Sequence, residues 1–412
     1  MIENSEKKYI PVCLMYILMF FVLSYTFQTF FKNPIFKLPI ILFVTGFFFI
    51  YVRYFSVRLF VASGLLSLII LIQGIMFDYS LTSHTTSLFM TIFAPFVFLK
   101  LFPINYHRYI INIITFLSCT SLFCWILVIV FPSLGGLAKE MAYALSRENP
   151  TDNGHYKQLI FFTYEPAKMW GISRNAGFCH EPGAFAVALI YGLVFNSILT
   201  KSYVNLKNIL FVICLLTTFS TAGYLALFIF LLNLGLKITN IYTKALVVLL
   251  LLSLSFYSFY SIDFLSDKIG TQYKIQANKS MESYTTGRFL GMRKSLYVLS
   301  KYPLTGRGFN VVSQPKDRTD PEAAGYGFMQ YLSQVGIVMF LLTGFLFYRT
   351  IWFWNNIYTP KDKVIFKFLP LVVVLSAQTF IPSLLFGLII FETYFRKYRI
   401  GLPLVEICND EK

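Results

Sequence analysis

"RNAGFCHEPGAFAVALIYGLVFNSILT", residues 174–200, sets an arginine, a histidine and a glutamate just ahead of a Pro-Gly pair and an apolar run. Pro182 suits the first turn of a helix, and Glu181 falls at the positive end of that helix's dipole. The run from Gly183 to Thr200 carries no charge and is long enough to cross a bilayer. The stretch therefore reads as the end of a loop, the entry to a helix and a membrane span. Three ionisable groups stand at its mouth.

Composition makes that reading general. The chain has 412 residues, 57% hydrophobic and only 13% charged. A soluble protein of this length would expose far too much apolar surface, so lipid is the expected solvent for most of it. The net charge of +16 would suggest nucleic acid in a soluble protein. Here topology accounts for it, because Lys and Arg collect in cytoplasmic loops, and no nucleic-acid partner is expected. The segment Tyr9–Phe31 is too long for a signal-peptide core and lacks a small-x-small cleavage site, so a retained helix is expected. Among Cys13, Cys119, Cys124, Cys179, Cys214 and Cys408, only Cys179 falls in an expected external loop, which implies no disulfide framework.

Apolar runs predict an all-α, polytopic membrane protein forming one integral membrane domain over 1–412. Its twelve spans fall near 9–31, 35–52, 59–77, 85–102, 109–131, 183–200, 208–220, 222–236, 245–261, 324–346, 368–380 and 383–395. Two pairs are ambiguous. Ser220-Thr221-Ala222-Gly223 interrupts one 29-residue run and Pro382 interrupts another, and each run is either one long helix or two short ones. Merging both pairs would put Arg349, Lys361, Lys363 and Lys367 outside, so the positive-inside rule favours the split, with both termini cytoplasmic. Two large external loops remain, at 132–182 and 262–323. Together they hold 11 of the 19 acidic and 15 of the 35 basic residues. Most transporters keep loops short and put polar groups mid-membrane. Polar chemistry gathered in two outer loops points instead to a site at the outer membrane face.

Each loop has a candidate motif. In the first, Arg174 is placed to hold an anion and His180 or Glu181 to handle a proton. The competing reading makes Glu181 a helix cap and Arg174 its partner or a lipid-phosphate contact. In the second, "TTGRFLGMRKSLYVLSKYPLTGRGFN", residues 285–310, brings Arg288, Arg293, Lys294, Lys301 and Arg307 within twenty positions. Phe289, Leu290, Met292, Leu296 and Leu299 give an amphipathic helix, which equally suits lying flat on headgroups. The Gly306-Arg307-Gly308 turn would let backbone N–H groups approach an anion, and arginine offers phosphate a planar fork of donors. Neither an Asp-x-Asp nor a P-loop occurs, so a metal-dependent transferase using nucleotide sugars is unsupported.

Three stretches, in this order, carry a family resemblance. They are "RNAGFCHEPGAFAVALIYG", "LLTTFSTAGYLALFIFLL", and "GRFLGMRKSLYVLSKYPLTGRGFN" followed by "GFMQYLSQVGIVMFLL". With them the chain resembles the superfamily of O-antigen polymerases (Wzy-type) and O-antigen ligases, which are bacterial membrane glycosyltransferases. The resemblance implies a plasma-membrane enzyme of O-antigen, capsule or exopolysaccharide biosynthesis. Its donor and acceptor would be undecaprenyl-pyrophosphate-linked glycans, met at the outer face among membrane lipids. A chain-length regulator and a flippase would be partners, and no metal or other cofactor is implied. Arg174 and Arg288 become the leading pyrophosphate ligands, followed by Arg293 and Arg307. Glu181 or His180 becomes the base. Glu181 matches the family's helix-entry pattern, whereas an imidazole ordinarily titrates nearest neutral pH.

The chain departs from the family in two ways. Some polymerases carry a Gly eleven positions after the loop arginine, but Arg174 leads to Phe185 and Arg288 to Leu299. Ligases carry a His-Asn before the helix after the second loop, where this chain has Gly325 and Tyr326. The missing histidine favours a repeat-unit polymerase over a ligase. A flippase of lipid-linked sugars would predict internal repeats and charge deep in the helices, whereas the expected spans are nearly free of charge.

Overall fold

A computed structural model of the chain describes residues 11–28, 34–52, 56–77, 89–146, 157–165, 168–169, 172–236, 242, 288–308, 327–378, 380 and 383–396. The span expected at 245–261 and most of the second loop, 262–287 and 309–323, lie outside the described residues. Helices make up about 80% of what is described. In chain order they are α1 (Val12–Phe27), α2 (Pro34–Phe47, continued by a π-turn over Phe48–Val52), α3 (Val57–Phe77) and α4 (Ala94–Leu101, entered through a π-turn over Phe89–Phe93). Then come α5 (Tyr106–Val130), α6 (Ser133–Ser146), α7 (Pro182–Thr200), α8 (Leu206–Thr217) and α9 (Thr221–Leu236). Last are α10 (Arg288–Lys301), α11 (Gly327–Tyr358), α12 (Ile365–Ser376) and α13 (Leu384–Phe395).

Four of these, α3, α5, α7 and α11, are long and apolar enough to cross a membrane. By contrast α8, α12 and α13 have 12 residues each. That is roughly 18 Å of helix, short of a hydrocarbon core about 30 Å thick. Helix α7 is buried along almost its whole length and is the centre of the bundle. Its small residues let neighbours close in. Gly192 admits the Phe211 ring of α8, and Ala186 meets Gly223 of α9. Outer helices turn apolar side chains away from the protein, among them Phe60, Leu68 and Ile75 on α3, Phe116 and Phe123 on α5, and Leu341 and Phe345 on α11.

Both ambiguous runs are pairs of helices. Between α8 and α9 the Thr218 hydroxyl donates to the Leu215 carbonyl (2.7 Å) and accepts from the Ser220 N–H (3.2 Å). The Ser220 hydroxyl then accepts the Gly223 N–H at 3.3 Å. These hydroxyls take over hydrogen bonds that the helix gives up at the break, which is why Ser and Thr mark it. Phe219 turns the chain with φ 47°. Between α12 and α13, Thr26 of α1 supplies the missing acceptor, and its hydroxyl takes the Leu385 N–H at 3.1 Å.

Both pairs turn at the same end of the bundle, because their other ends are tied together. Tyr203, between α7 and α8, donates to Asp362 (2.7 Å) and accepts from Asn233 near the end of α9 (2.6 Å). Lys367 at the start of α12 pairs with Asp362 at 2.8 Å. Burial and the Asp362 carboxylate raise the Tyr203 pKa, so its hydroxyl keeps its proton. At that end too, Glu392 of α13 accepts from Trp354 of α11 (3.0 Å) and meets His107 of α5 (3.0 Å).

Helix α11 is broken at Gly336, which has φ 76°. Residues 303–308, just after α10, fill the break. Arg307 and Gly308 donate their N–H groups to the Ser333 and Gln334 carbonyls, 2.9 Å each, and Ile337 donates to the Pro303 carbonyl at 2.8 Å. From α3, Gln73 donates to the Thr305 carbonyl (2.6 Å) and to that of Gln334 (2.8 Å). The loop expected at 132–182 contains helix α6 and two short antiparallel hairpins. One pairs β1 (Lys157–Gln158) with β2 (Thr163–Tyr164), the other β3 (Lys168–Met169) with β4 (Ile172–Ser173). These eight strand residues depart from a purely helical expectation.

Candidate functional site

The opening motif is held down on every side. Asn175 accepts from the Gly177 N–H (2.9 Å) and donates to the Thr217 hydroxyl (3.0 Å). From the end of α1, Gln28 donates to the carbonyls of Ile160 (2.7 Å) and Phe178 (3.2 Å). Gly177 has φ 59°, and the Phe185 ring lies where a side chain would have to go. The next residues are therefore presented on a rigid support. Burial and the nearby Glu181 carboxylate push the Cys179 thiol well above its usual range, so it is no nucleophile.

His180 and Glu181 come together at the entry to α7. The His180 backbone N–H and ring Nδ1 both meet the Phe27 carbonyl at the end of α1, at 3.0 and 2.9 Å. A carbonyl only accepts, so Nδ1 carries the proton. Nε2 then faces the Glu181 carboxylate at 4.0 Å, too far for a direct hydrogen bond. Glu181 holds the position of a helix cap, and its carbonyl accepts the Phe185 N–H at 3.1 Å. Its side chain makes no capping hydrogen bond. The carboxylate is about 30% exposed, which leaves it accessible to a reactant.

Arg174 points elsewhere. Its Nε and Nη2 donate to the carbonyls of Thr218 and Phe219 in the α8–α9 turn, at 3.1 and 3.3 Å. Its Nη1 faces the Glu165 carboxylate at 3.7 Å. A guanidinium at the C-terminal end of a helix is favourably placed against the carbonyls there. In this arrangement Arg174 pins the turn, and a phosphate would have to approach it past Glu165.

The second motif is split. Arg288 opens α10, and its side chain lies outside the described residues. Arg293 is exposed on the same helix. The buried face of α10 is formed by Leu290, Lys294, Ser295 and Val298, while Met292 and Leu296 are each more than 40% exposed. Part of the expected apolar stripe therefore faces outward, as a helix lying on a membrane surface would turn it. The glycine turn also differs from expectation. The Arg307 and Gly308 N–H groups satisfy the broken α11 rather than facing an anion. In a low-dielectric setting, unmet helix carbonyls demand such donors. The Arg307 side chain is buried next to them. Helix α11 links the two regions. Gly327 packs on the Leu375 and Ser376 carbonyls of α12, and Ser333, six residues on and roughly 9 Å along a helix, accepts from Arg307.

Sequence reasoning missed two features. The first is Gln378, just past α12, which reaches Gly183 at the entry to α7. Its only sequence signal is a polar residue near a helix break. The second lies at the opposite end. Glu392 is wholly buried with His107, Tyr106 (3.2 Å) and Trp354, and His107 meets the Tyr191 hydroxyl at 2.7 Å. Arg396 approaches Glu392 at 3.9 Å and donates to the Leu99, Phe102 and Pro103 carbonyls. A single glutamate in the apolar run of α13 was the available clue. Among the described residues, no three His, Cys, Asp or Glu side chains converge as a metal site needs. No family model, curated protein or solved structure matches the chain.

Proposed function

We propose that this chain is a multipass glycosyltransferase of the bacterial plasma membrane. It would polymerise undecaprenyl-pyrophosphate-linked repeat units at the outer face, with twelve spans and both termini inside. The observation that carries the reading is the placement of a partly exposed Glu181 carboxylate beside His180 at the mouth of central helix α7, at the end of the bundle where both short helix pairs turn. That is where a lipid-borne sugar would present itself. The order of the three resembling stretches supports the same reading.

In the proposed reaction, a hydroxyl of the incoming repeat unit attacks the anomeric carbon of the growing glycan. The bond from that carbon to the pyrophosphate oxygen breaks, and undecaprenyl pyrophosphate leaves with the electron pair. The hydroxyl proton passes to Glu181, and His180, 4.0 Å away, would receive it only through a bridging water. Arg288, Arg293 and Arg307 are the candidates to stabilise the leaving pyrophosphate, and Arg174 is a candidate only if it leaves the α8–α9 turn.

Deleting the gene should leave single repeat units on the cell surface, read as a glycan ladder collapsed to one band. Glu181→Gln should reproduce the collapse, lowering the elongation rate by about 100-fold or more, while His180→Gln should cost less. A normal ladder in Glu181→Gln cells that make the protein would remove Glu181 from the chemistry. The buried His107–Glu392 pair gives a flippase its one specific argument, since ionisable groups inside a membrane commonly mark transport paths. Loss of all surface glycan on deletion would favour that reading or a ligase.

A further inference from the structure

Gln378 is the polar group that the site as described leaves unused. It is 6% exposed, and its carboxamide has no hydrogen-bond partner among the described residues. Its backbone N–H donates to the Leu375 carbonyl at 3.3 Å, which fixes the residue at the end of α12. The fully buried, unsatisfied polar atoms of the described residues do not include its Nε2 and Oε1, so the amide keeps a narrow opening to solvent through which a ligand can reach it. The Gln378 Nε2 occupies the space beside Gly183 that any side chain there would need. That same point is 3.7 Å from Glu181 Oε1.

Gly183 lies in the first turn of α7. Phe185 is the first residue of that helix whose N–H bonds back, to the Glu181 carbonyl. The Gly183 and Ala184 N–H groups precede the ladder, as at any helix start. An amide donor and a carboxylate thus both lie close to the position a Cβ on Gly183 would take, at 2.3 and 3.7 Å, beside a helix start whose first N–H groups are unspent. A phosphate oxygen would suit the donors but would be repelled by Glu181. A hydroxyl suits both, because its lone pairs accept from the donors while its proton points to the carboxylate.

We infer that Gln378 and the first turn of α7 form the subsite for the acceptor sugar, and that the carboxamide holds the hydroxyl which Glu181 deprotonates. The inference rests on the polymerase reading. It assigns this pocket to the neutral acceptor and leaves the pyrophosphate to the arginines. It also gives Gly183 a reason, since a side chain there would displace the carboxamide.

The test uses the full chain in proteoliposomes, fed with lipid-linked repeat units extracted from cells lacking the gene. Two inhibitors serve as probes, the repeat-unit oligosaccharide released from its lipid and undecaprenyl pyrophosphate. Gln378→Met keeps the volume and removes the amide, and Gly183→Ala displaces it. Both variants should weaken inhibition by the free oligosaccharide by about tenfold or more, the scale of one lost hydrogen bond, and leave inhibition by undecaprenyl pyrophosphate unchanged. Unchanged oligosaccharide inhibition in a folded Gln378→Met protein overturns the inference, as does an equal loss for both probes. If Gln378→Met does not fold, Gly183→Ala and protection of Gln378→Cys from a thiol reagent by the oligosaccharide decide the matter. No protection overturns the inference. A wild-type protein that does not polymerise sinks the parent reading and this one with it, whereas a polymerising wild type with an indifferent Gln378→Met sinks this one alone.

Discussion

Arg174 shows how a residue's type and its role can part. Its place in the motif suggests an anion ligand, yet two of its nitrogens hold the α8–α9 turn through the Thr218 and Phe219 carbonyls. Hydrogen bonds from a charged donor are worth about 1.5–3 kcal/mol when partly buried. Arg174→Ala should therefore lower the melting temperature of the detergent-solubilised protein by several degrees, and Arg174→Lys should recover little because it lacks the fork. An unchanged melting temperature with lost elongation would instead return Arg174 to the pyrophosphate. Glu181 is the converse case. Its position read equally as cap or base, and the absence of a capping bond from its side chain leaves the carboxylate for chemistry.

Among the elements, α11 shows most clearly what a helix break is for. Gly336 adopts a left-handed backbone, and the Leu304 carbonyl fills the place of its missing side chain. Gly306 is packed in the same way against Gln334. Gly336→Ala therefore meets both backbone strain, about 1–2 kcal/mol, and a clash with a main-chain carbonyl that cannot move cheaply. The expected outcome is a large fall in monodisperse protein on size-exclusion chromatography, and a normal yield would contradict the wedge. The elements were unevenly legible. Ser220 marked the α8–α9 elbow, because a hydroxyl declares where a helix gives up its hydrogen bonds, while Pro382, the expected breaker between α12 and α13, lies outside the described residues. The docking of 303–308 into α11 was not legible, because the glycines there serve a contact with a segment thirty residues away in the chain.

Over the whole molecule, the two ends of the bundle are chemically distinct. One carries His180, Glu181 and Gln378 in reach of solvent. The other buries Glu392 with His107 and ties Tyr203, Asn233, Asp362 and Lys367 together. Removing one member of a buried pair strands the other, at a cost of about 3–5 kcal/mol. His107→Ala should therefore unfold or deplete the protein, and replacing His107 and Glu392 together with apolar residues should restore part of the yield. A stable His107→Ala protein that has lost activity would instead argue for a transport role.

By itself the sequence determined that this is a helical protein made for an apolar surround, that the runs at 208–236 and 368–395 are interrupted, and that ionisable residues stand at the entry to α7. Those properties are local, set by hydrophobic run length, proline and hydroxyl chemistry, and the charge of neighbouring residues. The break of α11 at Gly336 and helix α6 in the first loop were not foreseen from it. Only the tertiary structure decided which charges meet. It turned Arg174 onto the α8–α9 carbonyls, spent the glycine-turn N–H groups on α11 and brought Gln378 to Gly183 from almost two hundred residues away. A buried polar group must find its partner wherever the packed backbone offers one, and that choice is not written in the spacing of the chain.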